Sequence, residues 1–169
     1  MPCRQINDLL LDALLKDLLL SYNTYWTEAV YYFTDLYITG MRSKEPLAID
    51  RWSYATDKYY LKTFKTEEVR TFDGNELSLS LKEGIENNKA PYGQLTYDQL
   101  TLEFRKLIKM HPIYCGGKVV DTYLFRYNRA RQLMTKCQNL NEVMNYFQWK
   151  NPMIAMNYIT APLIYDPFR

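Results

Sequence analysis

Histidine is nearly missing from this chain: His111 is the only one among 169 residues. Cysteine is scarce as well, and Cys3, Cys115 and Cys137 are too few and too far apart to form a disulfide framework. Without a histidine or cysteine cluster the sequence offers no zinc-ligand spacing, and its thiols suit a reducing compartment. Long apolar runs are lacking too, since Asp, Lys or Asn breaks each one well short of the ~20 residues that span a bilayer. Met1 to Asn7 is polar and the leucines after it are interrupted by Asp12, Lys16 and Asp17, so no secretory segment is expected. The net charge is only +2, and any polyanionic partner must be met by cations gathered locally. With 47% apolar and 24% charged residues the chain falls in neither the disordered nor the membrane class. Its length suits one domain with its own core.

What is present is mostly helical periodicity. Ile6, Leu9, Leu10, Ala13, Leu14 and Leu18 recur at helical spacing and predict an amphipathic helix over residues 6–20. A second, aromatic-rich helix is expected over about 24–38, stopped by Gly40. Tyr59, Tyr60, Val69 and Phe72 flank a polar turn at 65–68, the pattern of a β-hairpin. Residues 73–93, punctuated by Gly, Asn and Pro, read mostly as loop. Thr96 with Gln99 forms a capping-box pattern ahead of Tyr97, Leu100, Phe104, Leu107 and Ile108. Beyond the turn-rich His111-Pro112 and Gly116-Gly117, one helix should cover about 123–136. Another should begin near Asn139 or Asn141, with Leu140, Val143, Met144 and Phe147 on one face. Asn151-Pro152 marks a further helix start, with Asn as cap and Pro at the first helical position, which puts Tyr158 in the second turn. The expected fold is mainly α with a small antiparallel β-sheet (α+β), in a single domain over residues 1–169.

Three local patterns carry candidate chemistry. In Thr39-Gly40-Met41-Arg42-Ser43-Lys44-Glu45 one helix should end and another begin, with Arg42 and Glu45 placed to lie on one side of a turn. Tyr123-Leu124-Phe125-Arg126 opens a helix that goes on to Arg129 and Arg131. Trp149 and Tyr158 flank the Asn-Pro start. Taken singly, these describe a surface ion pair, a basic helix face and two packing aromatics.

Taken in order, they resemble the tyrosine recombinase (phage integrase) family. Residues 39–45 are similar to its first box, T-G-[LM]-R-x-x-E, and are followed here by Leu47, Ile49 and Trp52-Ser53. Tyr123 to Arg126 resembles the H-x-L-R box. From Arg126 to Trp149 is 23 positions and from Trp149 to Tyr158 is nine, intervals found in ordinary members. The resemblance covers about Leu10 to Ile159.

It implies the family's catalytic-domain fold and a site-specific recombinase that breaks and rejoins double-stranded DNA through a 3′-phosphotyrosine, with Tyr158 as nucleophile. Arg42 and Arg126 would clamp the phosphate oxygens with permanently charged forks. Lys65, with Lys62 as second choice, would protonate the leaving 5′ oxygen from a hairpin turn. Glu45 would orient Arg42, and Trp149 would present its indole N–H. Tyr123 stands where the family has histidine, and a phenol with a reference pKa of about 10 is a poor base. Phe147-Gln148 replaces a Leu-Gly, so a looser turn is expected there, and Pro46 is unexpected in a helix. The chemistry calls for no metal and no cofactor. The partners implied are DNA and further copies of the chain, as a tetramer on two duplexes, with no membrane and no small-molecule substrate. The place implied is intracellular and DNA-associated, in cytoplasm, nucleoid or nucleus. The family's N-terminal core-binding domain is expected to be absent, as in an excised catalytic domain or a minimal enzyme. The tail after Tyr158, with Ala161-Pro162 and Asp166-Pro167, is expected to be extended and available to a partner. A type IB topoisomerase or telomere resolvase shares the catalytic set, but the Ser-Lys-x-x-Tyr of the topoisomerases does not occur at 153–158. A catalytically impaired DNA-binding relative is the other alternative.

Overall fold

The structure is a computed structural model that describes residues 27–109 and 121–160, with 4–5, 12–13, 15–17, 19–20, 113–115, 118–119 and 163–165. Of the first expected helix, residues 12–13, 15–17 and 19–20 are helical, with Leu15 and Leu19 buried, and the rest lies outside the described residues. The turn-rich His111, Pro112, Gly116 and Gly117 lie outside them too.

Helix α1 (Thr27–Thr39) runs through the middle of the core, because Ala29, Tyr32, Phe33 and Leu36 recur at helical spacing and are all fully buried. Phe33 packs on Phe104 and Phe125 at centroid distances of 5.9 and 6.3 Å. Those rings arrive on α3 (Tyr97–Ile108) and α4 (Tyr123–Cys137). The start of α3 is the expected capping box, with Thr96 and Gln99 each bonding the other's backbone N–H. Helix α5 (Leu140–Phe147) is capped by Asn139, and α6 (Pro152–Thr160) starts where the Asn151 side chain accepts from Met153 N at 2.9 Å.

The expected hairpin is present as β3 (Lys58–Lys62) and β4 (Val69–Asp73), joined across residues 63–68. A strand not expected, β2 (Trp52–Ala55), pairs with β3 on its other side, giving an antiparallel β2-β3-β4 sheet. A second small sheet was also not expected. It pairs β1 (Arg4–Gln5), β7 (Leu163–Tyr165), β5 (Ile113–Cys115) and β6 (Lys118–Val119) in the order β1-β7-β5-β6. The described part of the tail is extended, as expected, but pairs with β1 and β5 of its own chain. Strands of two or three residues are too short to show a period-2 pattern.

Residues 73–93 correct a second expectation. They hold helix α2 (Leu79–Asn87) rather than mostly loop. Only Leu81, Gly84 and Ile85 of its nine residues are buried, so the apolar stripe is faint in the sequence. Its start is fixed by the core: Asp35 on α1, fully buried, accepts from both the N–H and the hydroxyl of Ser78, each at 2.7 Å, and from Tyr92 OH at 2.6 Å. Burial pushes the Asp35 carboxyl up to about 6, against the pull of these three bonds. Ser78 in turn caps α2. Gly84 is there because a Cβ would lie 2.9 Å from the Lys89 carbonyl.

Among the described residues no helix is long and apolar enough to cross a membrane. Gly40 ends α1 in the left-handed region at φ +65°, and a Cβ there would meet the Phe147 ring at 2.6 Å. We therefore expect Gly40→Ala to cost about 2–4 kcal/mol of stability from backbone strain and overpacking, read as a lower urea midpoint. A loss under about 0.5 kcal/mol would show that the turn relaxes freely.

Candidate active site

The segment after Gly40 does not begin a helix. Glu45 N donates to Arg42 O at 2.9 Å, Leu47 N to Lys44 O at 3.2 Å and Ala48 N to Glu45 O at 3.3 Å, all three-residue steps of successive turns. Pro46 explains the difference, since it has no N–H and disfavours helical geometry at Glu45. The turns fold around Glu45, whose side chain is 0% exposed. Its Oε1 accepts from Arg42 N at 2.7 Å, and its Oε2 from Phe64 N at 3.1 Å and Arg42 Nη1 at 3.5 Å. Its carbonyl accepts from Trp52 Nε1 at 3.0 Å. This is a buried hub, not a surface ion pair. Ser43, buried beside Arg42, bonds Thr122 at the start of α4, and its carbonyl accepts from Tyr32 OH at 2.9 Å.

Arg126 projects from the first turn of α4 and is 1% exposed. Its Nη1 donates to Gly40 O at 2.6 Å. Its guanidinium lies 5.0 Å from the centre of the Phe147 ring and 5.3 Å from those of Trp149 and Tyr158. These rings form a continuous stack: Phe147 on Trp149 at 4.3 Å and 11°, then Trp149 on Tyr158 at 4.8 Å and 16°. Tyr127, next to Arg126, also touches the half-buried Tyr158, with ring centroids 4.8 Å apart. Burial lowers the Arg126 pKa and the Arg42 charge pushes the same way, while Tyr158 and Glu45 act against them. Two buried donors here have no partner, Arg126 Nε and Trp149 Nε1.

Gln148 resolves the expected looseness after α5. It takes the left-handed conformation a glycine would supply, at φ 59°. Trp149 N then reaches Met144 O at 2.8 Å and Gln148 N reaches Asn145 O at 3.2 Å, a tight helix ending. Tyr123 stands one turn before Arg126 and half-buried. Burial raises its pKa, Tyr158 adds to the rise, and Arg42 and Arg126 oppose it.

The structure thus gathers Arg42, Glu45, Arg126, Trp149, Tyr158 and Tyr123. Lys65 is not gathered with them. It is exposed at φ +66° in the β3–β4 turn, and among the described residues no ion pair holds it. Lys62 is exposed as well and pairs with Glu67 at 2.7 Å. The turn is nevertheless anchored to the group, by Phe64 N on Glu45 and by Glu68 on Lys150 at 2.6 Å. Phe147, Tyr127 and Arg70 (below) were missed in the sequence. Phe147 was read only as helix packing, and Tyr127 has no pattern of its own.

No protein-family model matches the chain, and no curated protein matches it in sequence. Solved structures do. The lambda integrase fragment 75–356, a dimer bound to a COC′ core site, aligns with a TM-score of 0.63 at 14% identity over 92% of this chain and 58% of that one. The XerH site-specific recombinase, bound to its difH substrate before cleavage, aligns with a TM-score of 0.58 at 18% identity over 85% of this chain and 47% of that one. This chain spans about half the length of these two proteins. At such identities the likeness is one of architecture: the chain has the fold of a tyrosine recombinase catalytic domain.

Proposed function

We propose that this chain breaks and rejoins DNA strands as the catalytic domain of a site-specific recombinase, with Tyr158 as nucleophile. The observation that carries the reading is the convergence of Tyr158, Trp149 and Arg126 in one stack, with Arg42 and Tyr123 coupled to it electrostatically. The shared fold with two recombinases bound to their sites supports it. Those residues come from four separate places in the chain. Packing alone would not call for a buried arginine over the Tyr158 ring with a half-buried one close enough to act on it and on Tyr123.

Tyr158 loses its proton to hydroxide or solvent, and its oxygen forms a bond to phosphorus as the bond to the 5′ oxygen breaks, leaving a 3′-phosphotyrosine. Charge that grows on the non-bridging oxygens meets Arg126, whose Nε is free to donate, and Arg42, held by Glu45. The Trp149 indole N–H, buried and without a partner, is the third donor assigned to the phosphate. Lys65 gives a proton to the departing 5′ oxygen after the β3–β4 turn folds down on the DNA backbone. A 5′ hydroxyl of a second strand reverses the sequence and restores the free phenol. The working assembly is a tetramer of the chain on two duplexes, in a DNA-associated compartment. Tyr123 stays a neutral phenol, because its pKa is raised, and serves as a donor rather than a base.

The test uses a pool of nicked duplexes of random sequence, with SDS-resistant protein–DNA adducts captured and sequenced. The wild-type chain should give adducts, and Tyr158→Phe should give none; adducts that persist in that variant would overturn the assignment. Duplex binding with no adduct under any condition would instead mark a catalytically impaired DNA-binding protein. Among the described residues no carboxylate is bonded to Tyr158, so hydroxide should take its proton and adduct formation should speed up as pH rises from roughly 7 to 9. Tyr123→His should raise the rate at pH 7 by about tenfold or more and flatten that dependence. An unchanged rate in this variant would show that the proton leaves by another route.

A further inference from the structure

Arg70 is a buried cation to which the reaction above gives no work. The alternation along β4 turns Arg70 and Phe72 to the inner face, and Arg70 is only 2% exposed. Among the described residues no carboxylate bonds it. Its Nη2 donates to Thr39 O at 2.7 Å and its Nε to Tyr146 O at 3.0 Å, while Nη1 is buried without a partner. Three ring faces cover it, Phe72 at 4.7 Å, Tyr146 at 4.9 Å and Phe147 at 5.0 Å. Burial pulls its pKa down to about 10, with the Arg126 charge pushing the same way and Tyr146 and the unbonded Glu45 and Glu76 carboxylates opposing, so it is still ionised at neutral pH. A buried charge with no carboxylate bonded to it is costly, and an apolar side chain of similar size would pack there more cheaply.

Its position supplies a reason. Thr39 and Gly40 present consecutive carbonyls at the end of α1; Arg70 holds the first and Arg126 the second, at 2.7 and 2.6 Å. Both guanidinium groups also lie 5.0 Å from the centre of the same Phe147 ring. Arg126 hinges on the Gly40 carbonyl, so whatever fixes the 39–40 turn and the Phe147 ring fixes where its unpaired Nε points. We propose that Arg70 is a positioning residue for Arg126: it locks the Thr39 carbonyl and the Phe147 ring so that the Arg126 fork faces the phosphate. The planar fork is essential to this role, since two carbonyls in different elements are bonded by different nitrogens of one rigid group. The inference rests on Arg126 being part of a phosphate clamp, as proposed above.

The experiment is done on the full chain, labelled with nitrogen-15. The Arg126 Nε–H signal, assigned by its loss in Arg126→Lys, is followed alone and during titration with inorganic phosphate. In the wild type it should be sharp and should shift as phosphate binds. In Arg70→Met it should move or broaden before any phosphate is added, and phosphate should bind roughly tenfold more weakly, the loss expected for one charge-assisted hydrogen bond. Arg70→Lys keeps the charge without the fork, so it should show the same disordered signal with a smaller loss of affinity. A purely structural role would lower the thermal midpoint but leave the Nε–H signal and the phosphate affinity of the folded protein unchanged. That result in either variant overturns the proposal, and the Lys variant carries the test if the Met variant does not fold. A wild-type signal that ignores phosphate would contradict the phosphate clamp itself, while the effect of Arg70 is still read in the phosphate-free spectra.

Discussion

The Arg126 guanidinium is permanently charged, almost wholly out of water, and bonded to no carboxylate among the described residues. It is kept there by one backbone carbonyl and by the faces of three rings, which is a weaker set of partners than solvent. Each partner depends on a separate local decision. The Gly40 carbonyl is in place because α1 stops on a left-handed glycine, and the same glycine leaves room for the Phe147 ring. Trp149 stacks on Phe147 because Gln148 turns the chain sharply after α5. Tyr158 completes the stack because Asn151 and Pro152 start α6 where they do. Arg126 Nε and Trp149 Nε1 are left buried without partners by this arrangement, and under the proposed reading they are the donors kept for the phosphate.

Arg42 is held by opposite means. It has a buried carboxylate, and that carboxylate also takes the Phe64 amide of the hairpin turn. Glu45 therefore ties one arginine of the site to the turn that displays Lys65. The Glu68–Lys150 pair ties the same turn to the segment just after Trp149, though both its members are partly in water and it contributes little energy. Arg70 closes the circuit from β4 to the end of α1 and to α5. The β2-β3-β4 sheet and its turn are thus bonded to the helical site through Trp52, Phe64, Glu68 and Arg70, and Lys65 sits exposed on that turn.

The part of the site on α4, α5 and α6 was legible in the sequence because its spacing is fixed by local rules. Caps at Asn139 and Asn151 and a helix of set rise place Trp149 and Tyr158 at determined distances from Arg126. The 39–45 motif was legible as residue types but misread as the start of a helix, since Pro46 acts on geometry that a pattern of letters does not display. Helix α2 was hidden because a tertiary contact from Asp35, forty-three positions before Ser78, fixes its start. The second sheet was hidden because its strands are shorter than the period that would betray them. Arg70 did leave a trace, a charged residue at an inward strand position beside Phe72, but that trace has meaning only once the register of β4 is known. Lys65 could be placed on its turn and no further, because among the described residues no ion pair holds it.

The central claim is that Tyr158, and no other of the 16 tyrosines, becomes covalently bonded to a DNA 3′ phosphate. The direct measurement is to trap the adduct on a nicked duplex, digest the DNA with nuclease and the protein with protease, and locate the nucleotide mass by fragmentation mass spectrometry. The account predicts that the mass falls on Tyr158 within the peptide that follows Lys150. A nucleotide found on Tyr123, Tyr127 or any other side chain would contradict it.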